Sequence, residues 1–419
     1  MRKLLLLSAL VLIAASAFAQ AAAPAAAPTM AFTGALYTGT IAQSINGSTP
    51  SLGIWDPVNQ TGSRFNWQGT VKADTWGLNF RLREDDNWDQ LSTNVKITGA
   101  TPSSVSIPSA PTFRRLYGWM EPVPGVVRVV VGRLSGYEWA TGDAGGFSTL
   151  GNLDGAVGAQ LQIKPIDGLN FGAFLPFTYG NSGALLSSVS LNEALNFMAF
   201  GAKYTLQGVG DIEGGYWLAA DMPSGGNNTQ NTGSSNFYSY PKAWFGFEYV
   251  GTQNLVALLE SQFAISRNPH VNYAYLDEQV SYQMDQLGLT LYAEQLLWAS
   301  AAAGGTNLGF RPVVDYTIGN VDVGAYGELV YSNNPLAAGN WGYAFGPFVK
   351  VTVAKNVYMR LQPEYGGGDV TPPINGAPLQ DYPGDNGSPP YQAANGLTQG
   401  WAPLAHSYWQ VFLNFVVSF

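Results

Sequence analysis

Apolar and polar side chains alternate along most of the chain. Residues 76–83 read WGLNFRLR, residues 243–249 read AWFGFEY, and residues 321–331 read VDVGAYGELVY. A period of two places the apolar side chains on one face of an extended strand and the polar side chains on the other, whereas a helix repeats every 3.6 residues. The pattern therefore predicts an all-β protein built from many strands.

Eighteen segments of this kind follow one another, and short and long connections alternate between them. This alternation is typical of a transmembrane antiparallel up-and-down β-barrel, which has short periplasmic turns and long extracellular loops. Sixteen strands are the alternative, because the segments 64–73 and 112–121 are weakly patterned. The predicted strands are 31–45, 64–73, 75–84, 112–121, 125–135, 154–165, 167–179, 193–207, 209–222, 237–251, 253–266, 272–284, 286–299, 308–319, 320–332, 340–353, 356–366 and 405–419.

The composition favours a barrel in a membrane over a soluble sandwich or propeller. Hydrophobic residues make up 46% of the chain and charged residues only 11%, whereas a typical soluble domain has about 25% charged residues. After the N-terminus, no apolar run reaches the ~18–20 residues of a membrane-spanning helix. The polar strand positions hold mostly Gly, Ser, Asn, Gln or Tyr. A wall that faces lipid explains why charge is scarce.

The N-terminal residues carry a targeting signal. Arg2 and Lys3 precede an apolar stretch and a run of small residues that ends at Ala19, which is typical of a secretory signal peptide. The expected organisation is a signal peptide over 1–19, an Ala/Pro-rich periplasmic lead-in over 20–30 and a transmembrane β-barrel over 31–419. Cleavage would move the net charge from −9 to −11. We expect no nucleic-acid partner, because phosphate binding requires a basic patch.

The last strand has the sharpest pattern in the sequence. Counting back from the last residue, every second position is apolar: Phe419, Val417, Phe415, Leu413, Val411 and Trp409. This strand resembles the terminal strand of Gram-negative outer-membrane porins, although that class often has Tyr at the position of Val417. The resemblance implies that these six residues are the signal read by the barrel-assembly machinery.

The resemblance to porins also implies a location and a function. We expect the chain to lie in the cell outer membrane, in contact with its lipid, and to assemble into homotrimers. It should form a water-filled pore for passive diffusion of ions and small hydrophilic solutes. Porins often have a loop folded into the pore, and here either 85–111 or 136–153 could take that position.

Charged residues at polar strand positions are expected to line the pore, because Arg or Lys on the lipid face near mid-bilayer costs about 2–4 kcal/mol. Cations dominate the strands between 73 and 205, and acids dominate between 206 and 331. A basic arc would then face an acidic arc, as in general porins; solvated charges in a wide lumen are the alternative. Acidic residues in the loops add to a weak cation preference. The expected pore-lining residues are the basic Arg81, Arg83, Lys164 and Lys203 and the acidic Glu248, Glu260, Asp277, Glu294, Asp315, Asp322 and Glu328.

Two other functions remain open from the sequence. A substrate-selective channel, for example for sugars, would use a track of stacking rings. A surface-exposed structural barrel or adhesin would use the long Gly- and Pro-rich connection 367–404. The candidate stacking residues are Tyr238, Tyr240, Trp244, Tyr273 and Tyr275.

No residue pattern predicts an enzyme, a cofactor or a metal site. The chain has no cysteine and only two histidines, His270 and His406, and it lacks nucleophile and phosphate-binding motifs. Residues 85–89 begin with the spacing of a calcium loop, but Gln90 and Lys96 stand where such a loop needs Gly and Glu. We therefore expect a channel without catalytic residues.

Overall fold

A computed structural model of the chain describes most of the strands and the short turns between them. The signal peptide, most of the lead-in and the connections 85–111, 136–153 and 367–404 lie wholly or largely outside the described residues. The described residues are 27–45, 47, 49–54, 64–85, 112–136, 152–177, 194–195, 198–218, 242–264, 272–299, 304–332, 341–368 and 406–419.

The described residues form one antiparallel β-sheet that closes on itself. Its strands are β1 Thr29–Ile45, β2 Ser51–Ile54, β3 Arg64–Lys72, β4 Trp76–Asp85, β5 Thr112–Val123, β6 Val127–Gly136, β7 Asn152–Ile166, β8 Leu169–Pro176, β9 Ala199–Leu206, β10 Gly210–Trp217, β11 Lys242–Thr252, β12 Leu255–Ala264, β13 Asn272–Met284, β14 Leu287–Ala299, β15 Gly304–Ile318, β16 Val321–Ser332, β17 Trp341–Ala354, β18 Val357–Gly368 and β19 His406–Ser418.

Closure of the sheet confirms the predicted barrel of eighteen strands. From β3 to β19 each strand pairs with the next in the chain, and β1 joins the two ends by pairing with both β3 and β19. The weakly patterned segments 64–73 and 112–121 both form strands, β3 and β5. A closed barrel leaves no unpaired edge, which a strand in lipid could not tolerate.

The short strand β2 falls inside the connection 46–63 that the sequence analysis treated as a loop. It pairs with the residues Thr40–Gln43 of β1, while β3 pairs with the earlier half of β1. Strands β2 and β3 are therefore two pieces of one interrupted barrel strand, and the count of eighteen is unchanged. The strand β1 begins at Thr29, inside the expected lead-in.

The short turns have the local chemistry that tight hairpins require. Asn254, Asp285 and Asn356 adopt positive φ angles of 65°, 49° and 63°. Asn and Asp are the non-glycine residues that most readily enter this left-handed region. Gly319 has φ 63° in the turn between β15 and β16. These turns lie on the same side of the barrel as Phe419, which is the side predicted to be periplasmic.

The two faces of each strand differ as the alternating pattern predicts. On β18 the apolar Met359 and Leu361 are 41% and 45% exposed, whereas the intervening Arg360 and Gln362 are 3% and 0% exposed. On β19 the apolar positions from Trp409 to Phe419 share the exposed face, and Phe412 and Asn414 lie on the buried face. The exposed apolar face is the outer wall, and the buried, mostly polar face lines the concave interior.

No helix among the described residues is long and apolar enough to cross a membrane.

Candidate functional site

The inner wall of the barrel carries a row of carboxylate positions that are linked in ladder register. In the ladder register, Lys203 pairs with Glu213, Glu213 with Gly246, and Gly246 with Glu260. Glu260 then pairs with Asp277, and Asp277 with Glu294. Neighbouring strands lie about 4.8 Å apart, so acidic residues from four strands are brought into one row. Residues far apart in sequence thus form one feature of the wall.

A second acidic row lies two residues nearer the periplasmic turns. Asp211 pairs in register with Glu248, and the Lys203 ammonium lies 2.7 Å from an Asp211 carboxylate oxygen. We call the six residues of these two rows the acidic ladder: Asp211, Glu213, Glu248, Glu260, Asp277 and Glu294. The side chains of Asp277 and Glu294 lie outside the described part of the structure, so only their register positions are known.

The position of Lys203 differs from the arrangement expected from the sequence. The sequence analysis placed this lysine on a basic arc opposite the acids. In the structure it stands at the end of the acidic row and forms an ion pair with a member of the acidic ladder. Chain order alone groups Lys203 with the preceding cations, but it cannot show that the basic and acidic stretches of sequence meet at β9 and β10.

Arginines occupy a sector of the inner wall far from the acidic ladder. Arg81 on β4 pairs in register with Arg115 on β5, and its Nε lies 3.4 Å from the Asn66 Oδ1 acceptor. Eighteen strands divide the circumference into steps of about 20°, so the eight steps from β4 to β12 amount to about 160°. Arg81 and Glu260 each lie six residues after a periplasmic turn. The structure therefore places these two residues on nearly opposite walls at similar heights.

Between β14 and β19 the inner wall carries two described ion pairs. Arg311 and Glu328 are both buried, with 3.4 Å between their closest N and O atoms. Lys350 and Asp322 lie 3.8 Å apart, and the Thr317 hydroxyl donates to Asp322 at 2.8 Å. Pairing neutralises this sector locally, whereas acids outnumber cations in the acidic ladder.

Glu364 is the centre of a buried hydrogen-bond network in the same sector. Its carboxylate accepts from the Tyr408 hydroxyl at 2.8 Å, from the Tyr326 hydroxyl and from the Gln410 amide. Gln362 donates to the Tyr326 oxygen at 2.9 Å. Tyr326 reaches Glu364 across the intervening strand β17, which only side chains on a concave face can do. The network ties β16, β18 and β19 together from the inside.

The remaining expected pore-lining residues take three kinds of position. Asp315 lies on the inner face opposite Gly288. Lys164 is exposed near the end of β7, beside a periplasmic turn, so it belongs to the rim and not to the middle of the wall. Arg83 pairs in register with Asn66, and its side chain lies outside the described part.

The structure describes only one ring of the candidate stacking track. Trp244 lies on the inner face, 5% exposed, against Gly215. Tyr273 and Tyr275 hold inner-face register positions on β13, but nothing is described of their side chains. Tyr238 and Tyr240 lie outside the described residues. A buried ring offers little surface on which a solute can stack.

Trp119 shows where a strand-end aromatic does not belong to a membrane girdle. Its ring lies on the inner face, 4.3 Å from the Arg128 guanidinium carbon, and Arg128 forms a 2.7 Å ion pair with Glu121. An aromatic ring near the end of a barrel strand commonly lies at the lipid interface. The strand alternation around it, which places Met120 outside, is the signal that identifies it as internal.

A polar pair lies on the outer wall, where the sequence analysis expected apolar residues. Glu278 on β13 shares the outer face with Val280, and the Gln295 amide on β14 donates to its carboxylate at 3.2 and 3.3 Å. Asp277 and Glu278 are consecutive in a strand, so only one of them can face inward. That rule was sufficient to find this pair.

Among the described residues, no group of three His, Asp or Glu side chains is placed to hold a metal ion.

Comparison with known proteins supports the fold and leaves the subfamily open. A scan against protein-family models and a search of curated proteins found no match. Among solved structures, an anion-selective porin from Comamonas acidovorans is similar with a TM-score of 0.51 and 11% identity, covering 94% of this chain and 100% of the porin. OccK5 (OpdH) and OpdQ from Pseudomonas aeruginosa each have a TM-score of 0.50 and 10% identity, covering 92% and 94% of this chain and 97% of each of theirs.

Identity this low establishes the fold alone. The chain has the closed β-barrel fold of bacterial outer-membrane porins, a fold of the cell outer membrane.

Proposed function

We propose that this protein is an outer-membrane channel for passive diffusion of ions and small hydrophilic solutes, with a weak preference for cations. The observation that carries the proposal is the acidic ladder on the inner wall of a closed barrel, opposite Arg81 and Arg115. Opposed rows of charge produce a field across a pore, and an excess of one sign raises the local concentration of the opposite ion. Such a wall serves permeation and provides no catalytic constellation.

The excess of carboxylates determines the direction of the preference. The two rows of the acidic ladder hold six acids and are adjoined by Lys203 and Arg311. The similar Comamonas protein is described as an anion-selective porin. If the charges of its own inner wall set the ion selectivity, this barrel prefers the opposite ions. Because charges are screened beyond about 8–10 Å at physiological salt, the preference should weaken as the salt concentration rises.

Neutralising each wall in turn tests the proposal. Reversal potentials would be measured in planar bilayers under a salt gradient for Glu248→Gln plus Glu260→Gln and for Arg81→Ser plus Arg83→Ser. The first variant should lose cation preference and the second should gain it. Asp322→Asn plus Lys350→Gln is the matched control, because it removes both members of an ion pair and leaves the net charge of the wall unchanged. Unchanged reversal potentials in both double variants would show that the wall charges are merely solvated.

The alternative functions have less support. A sugar-selective channel needs accessible rings, and the one described candidate, Trp244, is buried. Liposome swelling with sugars graded by size would detect selectivity of that kind. The connection that favoured a structural barrel or adhesin, 367–404, has only Gly367 and Gly368 at its start within the described residues.

Three partners belong to the proposal. The outer wall of exposed apolar residues suits outer-membrane lipid, and the alternating terminal strand from Trp409 to Phe419 suits recognition by the barrel-assembly machinery. Assembly into homotrimers is the third. Truncation of Phe419 should lower the yield of folded barrel in cells while leaving refolding of purified protein into vesicles much less affected.

A further inference from the structure

Within the described part of the outer wall, a polar cluster lies in the middle of the apolar belt. Glu278 and Gln295 are joined by hydrogen bonds of 3.2 and 3.3 Å between neighbouring strands. Ser261 on β12 and Gln295 on β14 both pair in register with Leu276 on β13, so Ser261, Gln295 and Glu278 surround Leu276 on the outer face. We call Ser261, Glu278 and Gln295 the outer polar patch.

Lipid-facing apolar residues surround the outer polar patch above and below. Val280 follows Glu278 on the same face and is 46% exposed. On β14, Leu297 and Leu291 lie on either side of Gln295 along the strand and are 44% and 45% exposed. A polar island within such a belt is not a membrane interface, where polar residues would be hydrated.

The depth of the patch supports this reading. Tyr282 lies three residues before the turn residue Asp285, which is a suitable position for an interfacial ring. Glu278 lies seven residues before Asp285, and a strand tilted by about 40° rises roughly 2.5 Å along the barrel axis per residue. The carboxylate of Glu278 is therefore well inside the hydrocarbon layer, which is about 25 Å thick around such barrels.

Hydrocarbon offers no hydrogen-bond donors to a carboxylate. The amide of Gln295 satisfies only part of the capacity of Glu278, because an ionised carboxylate has about four acceptor positions. An ionisable residue at this depth usually pairs with another polar group or faces protein. Ser261 and the neighbouring Ala293 have small side chains and are only 5% and 8% exposed. Because neither side chain protrudes, a second wall could approach closely here.

We propose that the outer polar patch is the contact through which a second copy of this chain binds. Its residues are self-complementary, because the Gln295 amide of one copy can donate to the Glu278 carboxylate of another, and symmetric contacts repeat that pairing. The proposal rests on the proposed outer-membrane location. It specifies which three strands, β12 to β14, form the interface.

Arg133, another outward charge on the wall, does not provide the partner. Arg133 on β6 pairs in register with Leu116, which is on the outer face. Seven strands separate β6 from β13, which corresponds to about 140° around the barrel. In a ring of three barrels the two contacts of each barrel lie only about 60° apart. Arg133 of one copy therefore cannot meet Glu278 of the next in a trimer. A patch that faces the three-fold axis meets the same patch of both neighbours.

Single-cysteine cross-linking tests the contact directly, because the chain has no native cysteine. Leu276→Cys lies in the centre of the patch, and Leu361→Cys on β18 is a control that is exposed on the outer wall. Oxidation in native membranes should give disulfide-linked dimers for Leu276→Cys and none for Leu361→Cys. Absence of dimers from both, or equal dimer yields, would overturn the proposal.

A second variant set measures the contribution of the polar pair. Glu278→Leu plus Gln295→Leu should weaken self-association by roughly tenfold for each hydrogen bond removed between copies, as measured by analytical ultracentrifugation in detergent. The control Thr38→Leu plus Thr40→Leu makes the same kind of change on the outer face of β1 and should leave association unchanged. A wild-type protein that is monomeric, or a double variant that associates normally, would contradict the proposal. Conductance per barrel should be the same in all variants, so absence of conductance in the wild type would count against channel function and not against the interface.

Discussion

Replacing Glu328 by Gln should destabilise the barrel strongly, because it leaves a buried arginine without its counter-charge. Arg311 and Glu328 face each other across β15 and β16 on the inner wall, and their side chains are 9% and 4% exposed. Removing one partner of a buried ion pair typically costs about 3–5 kcal/mol. The pair is not required for the barrel to close, so the variant should still insert.

The distance between Arg311 and Glu328 gives an interaction energy of similar size. At 3.4 Å between N and O, Coulomb attraction is about 5 kcal/mol for an effective dielectric constant of about 20. Lys350 and Asp322 form a matched control on adjacent strands, with 3.8 Å between charged atoms and side chains that are 25% and 24% exposed. A partly exposed pair is worth less than about 1 kcal/mol. Asp322→Asn should therefore cost far less than Glu328→Gln.

Urea unfolding of the barrel in lipid vesicles, followed by tryptophan fluorescence, measures both free energies of unfolding. We expect Glu328→Gln to lower the free energy by about 3–5 kcal/mol. Combining it with Arg311→Met should recover much of the loss, because no buried arginine remains without its paired carboxylate. If Glu328→Gln and Asp322→Asn have equal small effects, burial does not control the strength of these pairs, and our description of this wall is wrong.

Two further stability predictions follow from contacts on the inner wall. Gly346→Ala should cost about 1–3 kcal/mol, because a Cβ at Gly346 would collide with the Pro363 carbonyl oxygen. Gly327→Ala, which has open space around its Cβ position, should be neutral, and equal urea midpoints for the two variants would contradict this contact. Tyr408→Phe should cost about 1.5–3 kcal/mol by removing a donor to buried Glu364. The exposed Tyr365→Phe on β18 is its control, and an unchanged midpoint for Tyr408→Phe would show that the donor contributes nothing.

Most of the fold could be predicted because apolar and polar side chains alternate with a period of two along a barrel strand. The strands β13 and β16 coincide closely with the predicted segments 272–284 and 320–332. The prediction missed β2 because four residues are too few to show a period. The interruption between β2 and β3 was hidden for the same reason, and it became visible only through their shared partner β1.

Less of the candidate site could be predicted from the sequence, because the alternation of side chains does not show which residues of neighbouring strands pair with one another. Alternation assigned Glu260 and Glu328 to the polar face of their strands, and both are buried in the structure. It could not show that Glu260 stands beside Asp277, or that Lys203 joins Asp211 and not the opposite wall. Those relations depend on how strands shift along one another, which turn lengths and bulges determine together.

The outer polar patch is a case in which the sequence pattern contained the information, but the sequence analysis did not use it. The general rule that charges avoid lipid assigned Asp277 to the pore and left Glu278 without an assignment. Consecutive Asp277 and Glu278 cannot both obey it, and the structure places Glu278 outside with Gln295 as its partner. Glu278 is a carboxylate on the outer wall, so its position requires an explanation other than lining the pore.

The reversal potential of single wild-type channels in a planar bilayer tests the central claim most directly. Under a tenfold potassium chloride gradient, the account predicts stepwise conductance with a reversal potential of the sign produced by potassium permeation. The preference should disappear when Glu248 and Glu260 are both replaced by Gln. Absence of conductance, or a reversal potential of the sign produced by chloride permeation, would contradict the account.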